Sequence, residues 1–265
     1  MNTRRDGPWP DGPNVMASVE GIADSIRVPR AVVAHRGDSG HRPENTQVAF
    51  QAAVDMGVEC IELDVHLSRD GALIIIHDGS VDRTSDSQGK VAELTLEQIK
   101  AMDAGRWFGE AFAGERFLTL EEALDVIAAP VRLNVHIKAY TETRDVVTAA
   151  TVKCLREREL LDRAYLASDE ETLAVARACC AGIEVCNLSV QPPQDYVARS
   201  AGIGCRILQP GHAMTTPELV AAAHAHEMQV FPFFADEEDE MRRLINCGVD
   251  GMLTNEPARL QALLA

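Results

Sequence analysis

The chain has 265 residues, 46% of them hydrophobic, and a formal net charge of −16 at pH 7. That length and apolar content suit one large α/β domain with a sizeable core. The negative balance argues against a nucleic-acid partner, because the long-range field repels a polyanion.

A small anionic ligand would be repelled as well, so any attraction for one must be local. No apolar run is long enough to cross a bilayer, and no stable membrane insertion is expected. The seven cysteines are an odd number without Cys-x-x-Cys spacing, and Cys179 and Cys180 are adjacent. They read as reduced thiols, which points to a cytoplasmic protein.

Residues 1–29 read as an N-terminal tail followed by a short helix. Met1 to about Asn14 is rich in Pro, Gly and charge and lacks the apolar segment of a secretory signal. Val19–Ile26 is patterned for a short helix packed on the outside of the domain. From residue 30 to 265, β-rich runs alternate with helical patterns. Ala31–His35 predicts the first strand, Glu44–Met56 a helix stopped by Gly57, and Cys60–His66 the second strand. Later strands are predicted at Val131–Ile137, Ala164–Ala167, Glu184–Leu188, Arg206–Leu208, Val230–Phe233 and Gly251–Leu253. Helices over Arg144–Glu157, Glu170–Cys179, Thr216–His226 and Glu237–Asn246 separate most of them. Repeated β-then-α order implies a parallel sheet, and eight such strands imply a closed (β/α)8 TIM barrel.

One strand, Ala72–His77, is left over. Only Ser68-Arg69-Asp70-Gly71 links it to the second strand, too short for a parallel crossover, so it must return as a hairpin. Pairing symmetric about Arg69/Asp70 would bring His77 back near the level of Glu62. The segment from about 79 to 118 exceeds a plain βα loop. It holds a helix opened by Thr95-Leu96-Glu97-Gln98 and is taken as a small inserted subdomain capping the barrel mouth.

The chemistry gathers at strand ends, where barrel enzymes work. Glu62 and Asp64 are two apart on a strand and share the lumenal face. Two carboxylates there call for a cation, and hard oxygens favour Mg²⁺ or Ca²⁺; otherwise Arg36 or Lys138 holds them in a buried ion-pair network. His35 and His77 end converging strands and are candidate acid and base. Arg36 suits bidentate phosphate contact or charge balance. Glu44 opens a helix, where the dipole favours a carboxylate, or else touches metal or substrate. Lys138 can neutralise transition-state charge. His136 faces the same way as Lys138, as a metal ligand or the hydrogen-bonding partner of one.

These residues resemble a known family. His35-Arg36-Gly37, Pro43-Glu44-Asn45-Thr46, Glu62-Leu63-Asp64 and His77-Asp78 look like the ordered signature of glycerophosphodiester phosphodiesterases. Gly89-Lys90-Val91 through Leu94-Thr95-Leu96-Glu97, Asp103-Ala104-Gly105 and Gly114-Glu115-Arg116 to Thr119-Leu120-Glu121-Glu122 resemble its inserted subdomain. Gly248-Val249-Asp250-Gly251-Met252-Leu253-Thr254-Asn255 resembles its last strand. The likeness spans roughly Val33 to Pro257. It implies a glycerophosphodiester substrate such as glycerophosphocholine or glycerophosphoethanolamine, cleaved to glycerol 3-phosphate and an alcohol. It also implies one divalent metal ion on Glu62 and Asp64, with His35 and His77 as the acid/base pair. A homodimer is compatible with this reading.

Three positions depart from the family pattern. His136 stands where the family usually has a glutamate as third metal ligand, so Zn²⁺ or Mn²⁺ also suits the site. Phe233 replaces a tryptophan and is taken as pocket wall, and Asn255 replaces an aspartate. Two other readings stay open: a catalytically weak barrel that senses a phosphodiester or lipid headgroup, and a lyase that stops at a cyclic phosphate.

Overall fold

A computed structural model describes residues 31–189 and 193–265. The tail and the Val19–Ile26 helix lie outside the described residues.

The first strand, β1 (Ala31–His35), leads into α1 (Gln47–Asp55) and β2 (Cys60–Leu67). A hairpin returns as β3 (Leu73–Ile75), and α2 (Leu96–Ala101) lies in the long segment that follows. Then come β4 (Leu118–Thr119), α3 (Leu120–Val126), β5 (Arg132–Ile137), α4 (Arg144–Glu157), β6 (Ala164–Ser168), α5 (Glu170–Cys179) and β7 (Glu184–Asn187). The chain ends with α6 (Pro193–Gly202), β8 (Ile207–Leu208), α7 (Pro217–Ala225), β9 (Gln229–Val230), α8 (Glu238–Asn246), β10 (Gly251–Thr254) and α9 (Pro257–Leu264).

Two parallel ladders build the barrel wall, in the orders β10-β1-β2-β5-β6-β7 and β8-β9. Backbone bonds from Asp250 to Val230 and from Leu253 to Pro232, both 3.0 Å, tie β10 to β9. Between β7 and β8, the Tyr196 hydroxyl lies within hydrogen-bond distance of the carbonyls of Asn187 and Gln209. The wall is that of a (β/α)8 barrel.

Alternation along the strands sorts the core into two layers. Ala31, Val33, Cys60, Tyr165, Ala167, Cys186, Ile207, Phe231 and Leu253 fill the lumen. Their neighbours, among them Val32, Ile61, Leu63, Leu133, Val135 and Leu166, pack outward against the helices. Glu62, Asp64, His66 and His136 share parity with the lumenal set but stand above it, towards the C-terminal mouth.

The hairpin carries the second histidine. The pairs Val65↔Ile75, His66↔Ile74 and Leu67↔Leu73 are symmetric about Asp70, so the register sets His77 opposite Leu63. On its other edge β2 pairs with β5 as far as Val65↔Ile137. β3 therefore occupies the edge that β1 takes lower down, and it descends towards the end of β1. Its side chains also alternate. Leu73 and Ile75 join the main core, whereas Ile74 and Ile76 join a separate small cluster with Val81, Val91, Ile99, Met102, Ala104 and Phe117.

Sequence signals and structure part at a few elements. The helix expected from Glu44 begins only at Gln47, because Asn45 sits at φ 59, outside the helical region. Glu44 therefore lies in the loop and does not open a helix. The strand expected over Val230–Phe233 is shortened to Gln229–Val230, with Phe233 held only by a bridge to Gly211. The two-residue β4, paired with β3, carries no sequence signal of its own. The helices expected after Thr95, Asp169 and Thr216 do start there, each with the side chain accepting a bond from the first-turn backbone.

Candidate active site

Three chain segments fold onto one another at the end of β1. His35 is level with Glu62 on β2. Arg36 then turns at φ 57, and its backbone N–H donates to the Glu62 carbonyl at 3.0 Å and to Glu62 Oε2 at 3.2 Å. Gly37, at φ 83, packs on α1 so closely that a Cβ there would stand 2.6 Å from the Ala49 carbonyl carbon. Asn45 brings the loop back. Its N–H donates to the Arg36 carbonyl at 3.0 Å, and its side-chain amide donates to Asp64 Oδ2 at 2.9 Å.

Register brings the candidate metal ligands together. Asp64 is level with His136 on β5. His136 Nδ1 lies 3.2 Å from Asp64 Oδ1 and 3.7 Å from Glu62 Oε1. One donor atom from each of Glu62, Asp64 and His136 falls within 4.8 Å of the others. Glu62 and Asp64 are buried, and Asp64 Oδ1 accepts no well-aligned hydrogen bond. Two buried carboxylates and an imidazole nitrogen, with donor atoms this close together, fit a divalent cation. Burial alone would raise the Asp64 carboxyl, but His136, Lys138 and Arg36 hold it well below the ordinary range. Burial alone would lower the His136 imidazole, but the adjacent carboxylates of Asp64 and then Glu62 move it upward.

Both histidines are gripped at Nδ1. His35 Nδ1 lies 2.8 Å from Asn255 Oδ1, and its Nε2 stands 3.9 Å from Glu62 Oε2. His77 Nδ1 lies 2.7 Å from Asp78 Oδ1. Burial is the main cause that lowers His77 below the usual imidazole value, against the opposing Asp64 carboxylate. Arg83 anchors Asp78 and, with its own side chain, holds that carboxyl at about 2.

The expected phosphate-binding side chains are present and engaged. Arg36 Nε stands 3.2 Å from Asp64 Oδ2, and its Nη1 donates to Glu44 at 2.9 Å. Lys138 Nζ is 3.1 Å from Asp64 Oδ1. Arg83 donates to both oxygens of Glu44 at 2.8 Å. Burial would raise Glu44, but Arg83 and Arg36 keep it below its ordinary value. The ion-pair network that Asp64 can form with Arg36 and Lys138 is thus present, and it coexists with the three-ligand cluster. Glu44, Glu62, Asp64 and Asp78 against Arg36, Arg83 and Lys138 leave one net negative charge when the histidines are neutral. A divalent cation turns that to one positive charge, which a phosphodiester monoanion balances.

Phe233, expected as pocket wall, is exposed. The ring that touches a catalytic candidate is its neighbour Phe234, stacked on His35 with centroids 5.2 Å apart and planes 17° apart. Sequence reading passes over Asn45, Asp78 and Arg83 as contacts, although Asn45 and Asp78 lie inside the quoted motifs. It also passes over His66, which shares the lumenal parity of Glu62 and Asp64. The His66 Nε2 donates to the His77 carbonyl at 3.0 Å and so pins the strand end that carries the second histidine.

Residues 35–259 match the glycerophosphoryl diester phosphodiesterase family. A glycerophosphodiester phosphodiesterase of Caldanaerobacter subterraneus subsp. tengcongensis is 36% identical over 236 residues, covering 86% of this chain and 95% of the relative. A protein of the same name from Bacillus altitudinis is 30% identical over 234 residues, covering 86% and 95%. An Oleispira antarctica phosphodiesterase, solved in complex with the product sn-glycerol-3-phosphate, superposes with a TM-score of 0.82 at 29% identity. That match covers 89% of this chain and 96% of the other.

Proposed function

The chain belongs to the glycerophosphoryl diester phosphodiesterase family, and from that premise we propose that it hydrolyses glycerophosphodiesters to glycerol 3-phosphate and an alcohol. The observation that carries the reading is the pair of histidines. Each has Nδ1 held by a fixed partner, and the two lie on converging strand ends beside Glu62, Asp64 and His136. That is the layout acid–base catalysis needs, since each imidazole keeps Nε2 for the substrate.

The chemistry follows from those positions. One histidine takes the proton of the glycerol 2-hydroxyl, whose oxygen attacks phosphorus within the same molecule at high effective concentration. The other histidine gives its proton to the departing alcohol oxygen. The cyclic phosphate is then opened by water, with the two histidines exchanging roles. Arg36 and Lys138 face the phosphoryl oxygens as fixed cations. A divalent ion held by Glu62, Asp64 and His136 would supply orientation of the glycerol oxygens and electrostatic stabilisation.

An assay for released glycerol 3-phosphate, run on glycerophosphocholine and glycerophosphoethanolamine with Mg²⁺, Ca²⁺, Mn²⁺ and Zn²⁺ in turn, tests this. Turnover with at least one ion is expected. Substrate binding without turnover in all of them contradicts the reading.

A further inference from the structure

The Nδ1 of His35 meets an amide, while its Nε2 looks towards Glu62 Oε2 at 3.9 Å. Its Nδ1 faces the side-chain oxygen of Asn255, and behind that amide stands Asp236, from the loop between β9 and α8. Asp236 Oδ2 accepts from Asn255 Nδ2 at 2.7 Å. Asp236 Oδ1 accepts from the Asn255 backbone N–H at 2.8 Å and from the Thr254 hydroxyl at 3.1 Å. The Ser39 hydroxyl lies 2.7 Å from both Asn255 Oδ1 and the His35 carbonyl.

We propose that Asp236 is a positioning residue that sets the His35 tautomer through the Asn255 amide. An ionised carboxylate only accepts hydrogen bonds, so Asp236 compels Asn255 to turn its NH₂ inward. The amide oxygen then faces His35 and can only accept, so the ring proton sits on Nδ1 and the lone pair on Nε2. Stacking on Phe234 fixes the plane in which this happens. The consequence for turnover rests on the phosphodiesterase reading; the tautomer does not. It serves either role of His35. As a base the ring needs a bare Nε2, and as an acid it needs an acceptor at Nδ1 once Nε2 is protonated.

Asp236→Asn is nearly isosteric but can reverse the relay. The oxygen of the introduced amide would keep the backbone N–H of Asn255 and the Thr254 hydroxyl, and its NH₂ would oppose the NH₂ of Asn255. Asn255 then flips, its NH₂ donates to Nδ1, and the His35 proton moves to Nε2. In the double variant Asp236→Asn/Asn255→Asp, a carboxylate faces His35 and accepts at its back from the introduced amide, which restores the acceptor.

Long-range ¹H–¹⁵N correlation spectra of the full chain read the tautomer directly. The wild type is expected to carry the His35 proton on Nδ1, Asp236→Asn on Nε2, and the double variant on Nδ1 again. The kcat/KM for glycerophosphocholine should fall about 100-fold or more in Asp236→Asn and recover to within about 10-fold in the double variant. A wild-type proton on Nε2, or an Asp236→Asn protein with unchanged tautomer and activity, overturns the proposal. If Asp236→Asn does not fold, the wild-type tautomer and the recovery in the double variant decide. The expected tautomers without any turnover would leave Asp236 in its role and overturn the phosphodiesterase reading instead.

Discussion

His136 Nδ1 stands 3.2 Å from Asp64 Oδ1, on the adjacent strand and in register with it. This contact places an imidazole, which is neutral when it ligates a metal, at the third corner of a candidate site otherwise built from carboxylates. An imidazole brings less charge and a softer donor than a glutamate, so the set gives up affinity for hard ions. His136→Glu should raise Mg²⁺ affinity and Mg²⁺-dependent kcat/KM, by about 10-fold in scale with other changes around metal ligands. Metal titration calorimetry beside steady-state kinetics checks it. An unchanged metal dependence would remove His136 from the ligand set.

Asn45 anchors Asp64 from the loop after β1. The residue sits at φ 59, so Asn45→Gly keeps the backbone conformation while deleting the amide. Metal affinity or activity should fall about 10–100-fold, as for other partners of ligating carboxylates, with little change in thermal stability. A large drop in melting temperature with normal kinetics would assign Asn45 to folding alone.

Gly37 and Gly57 separate two reasons for glycine. Both have positive φ, 83 and 70, but a Cβ at Gly57 meets nothing within 4 Å, whereas at Gly37 it meets Ala49 at 2.6 Å. Gly57→Ala should cost about 1 kcal/mol from the backbone conformation alone. Gly37→Ala adds a clash with backbone atoms and should cost about 2 kcal/mol or more. Urea denaturation of both variants measures the difference; equal losses would mean that the loop yields.

His77 should titrate below the ordinary imidazole value of about 6.5 in metal-free protein, because burial disfavours its charged form. The hydrogen bond that His77 Nδ1 donates to Asp78 opposes that shift, so Asp78→Asn should move the NMR midpoint lower still. Between the native midpoint and the unfolded value the unfolded chain binds more protons. Stability contributed by a neutral His77 is therefore complete above that window and lost as pH falls through it. A midpoint that rises in Asp78→Asn would contradict this sign.

Much of this is legible in sequence because strand and helix periods write it there. The lumenal placement of Glu62, Asp64 and His136 follows from parity alone. The return of His77 follows from a link too short for anything but a hairpin, and the observed symmetry about Asp70 differs from the expected Arg69/Asp70 by half a residue. What escapes depends on loops that meet only in space. Asn255 is 220 residues from His35, and no local pattern announces that Asp236 will turn its amide. The start of α1 is misplaced because an asparagine tolerates the left-handed region without advertising it. Phe233 and Phe234 are equivalent by composition, and only the stack on His35 tells them apart.

Two-histidine catalysis of diester hydrolysis can be followed atom by atom with ³¹P NMR of glycerophosphocholine during turnover. With an activating divalent ion, the diester signal should decay into glycerol 3-phosphate. His35→Ala and His77→Ala should each slow that decay about 100-fold or more. Either variant turning over at the wild-type rate, or a cyclic phosphate that accumulates as the final product, would contradict the account.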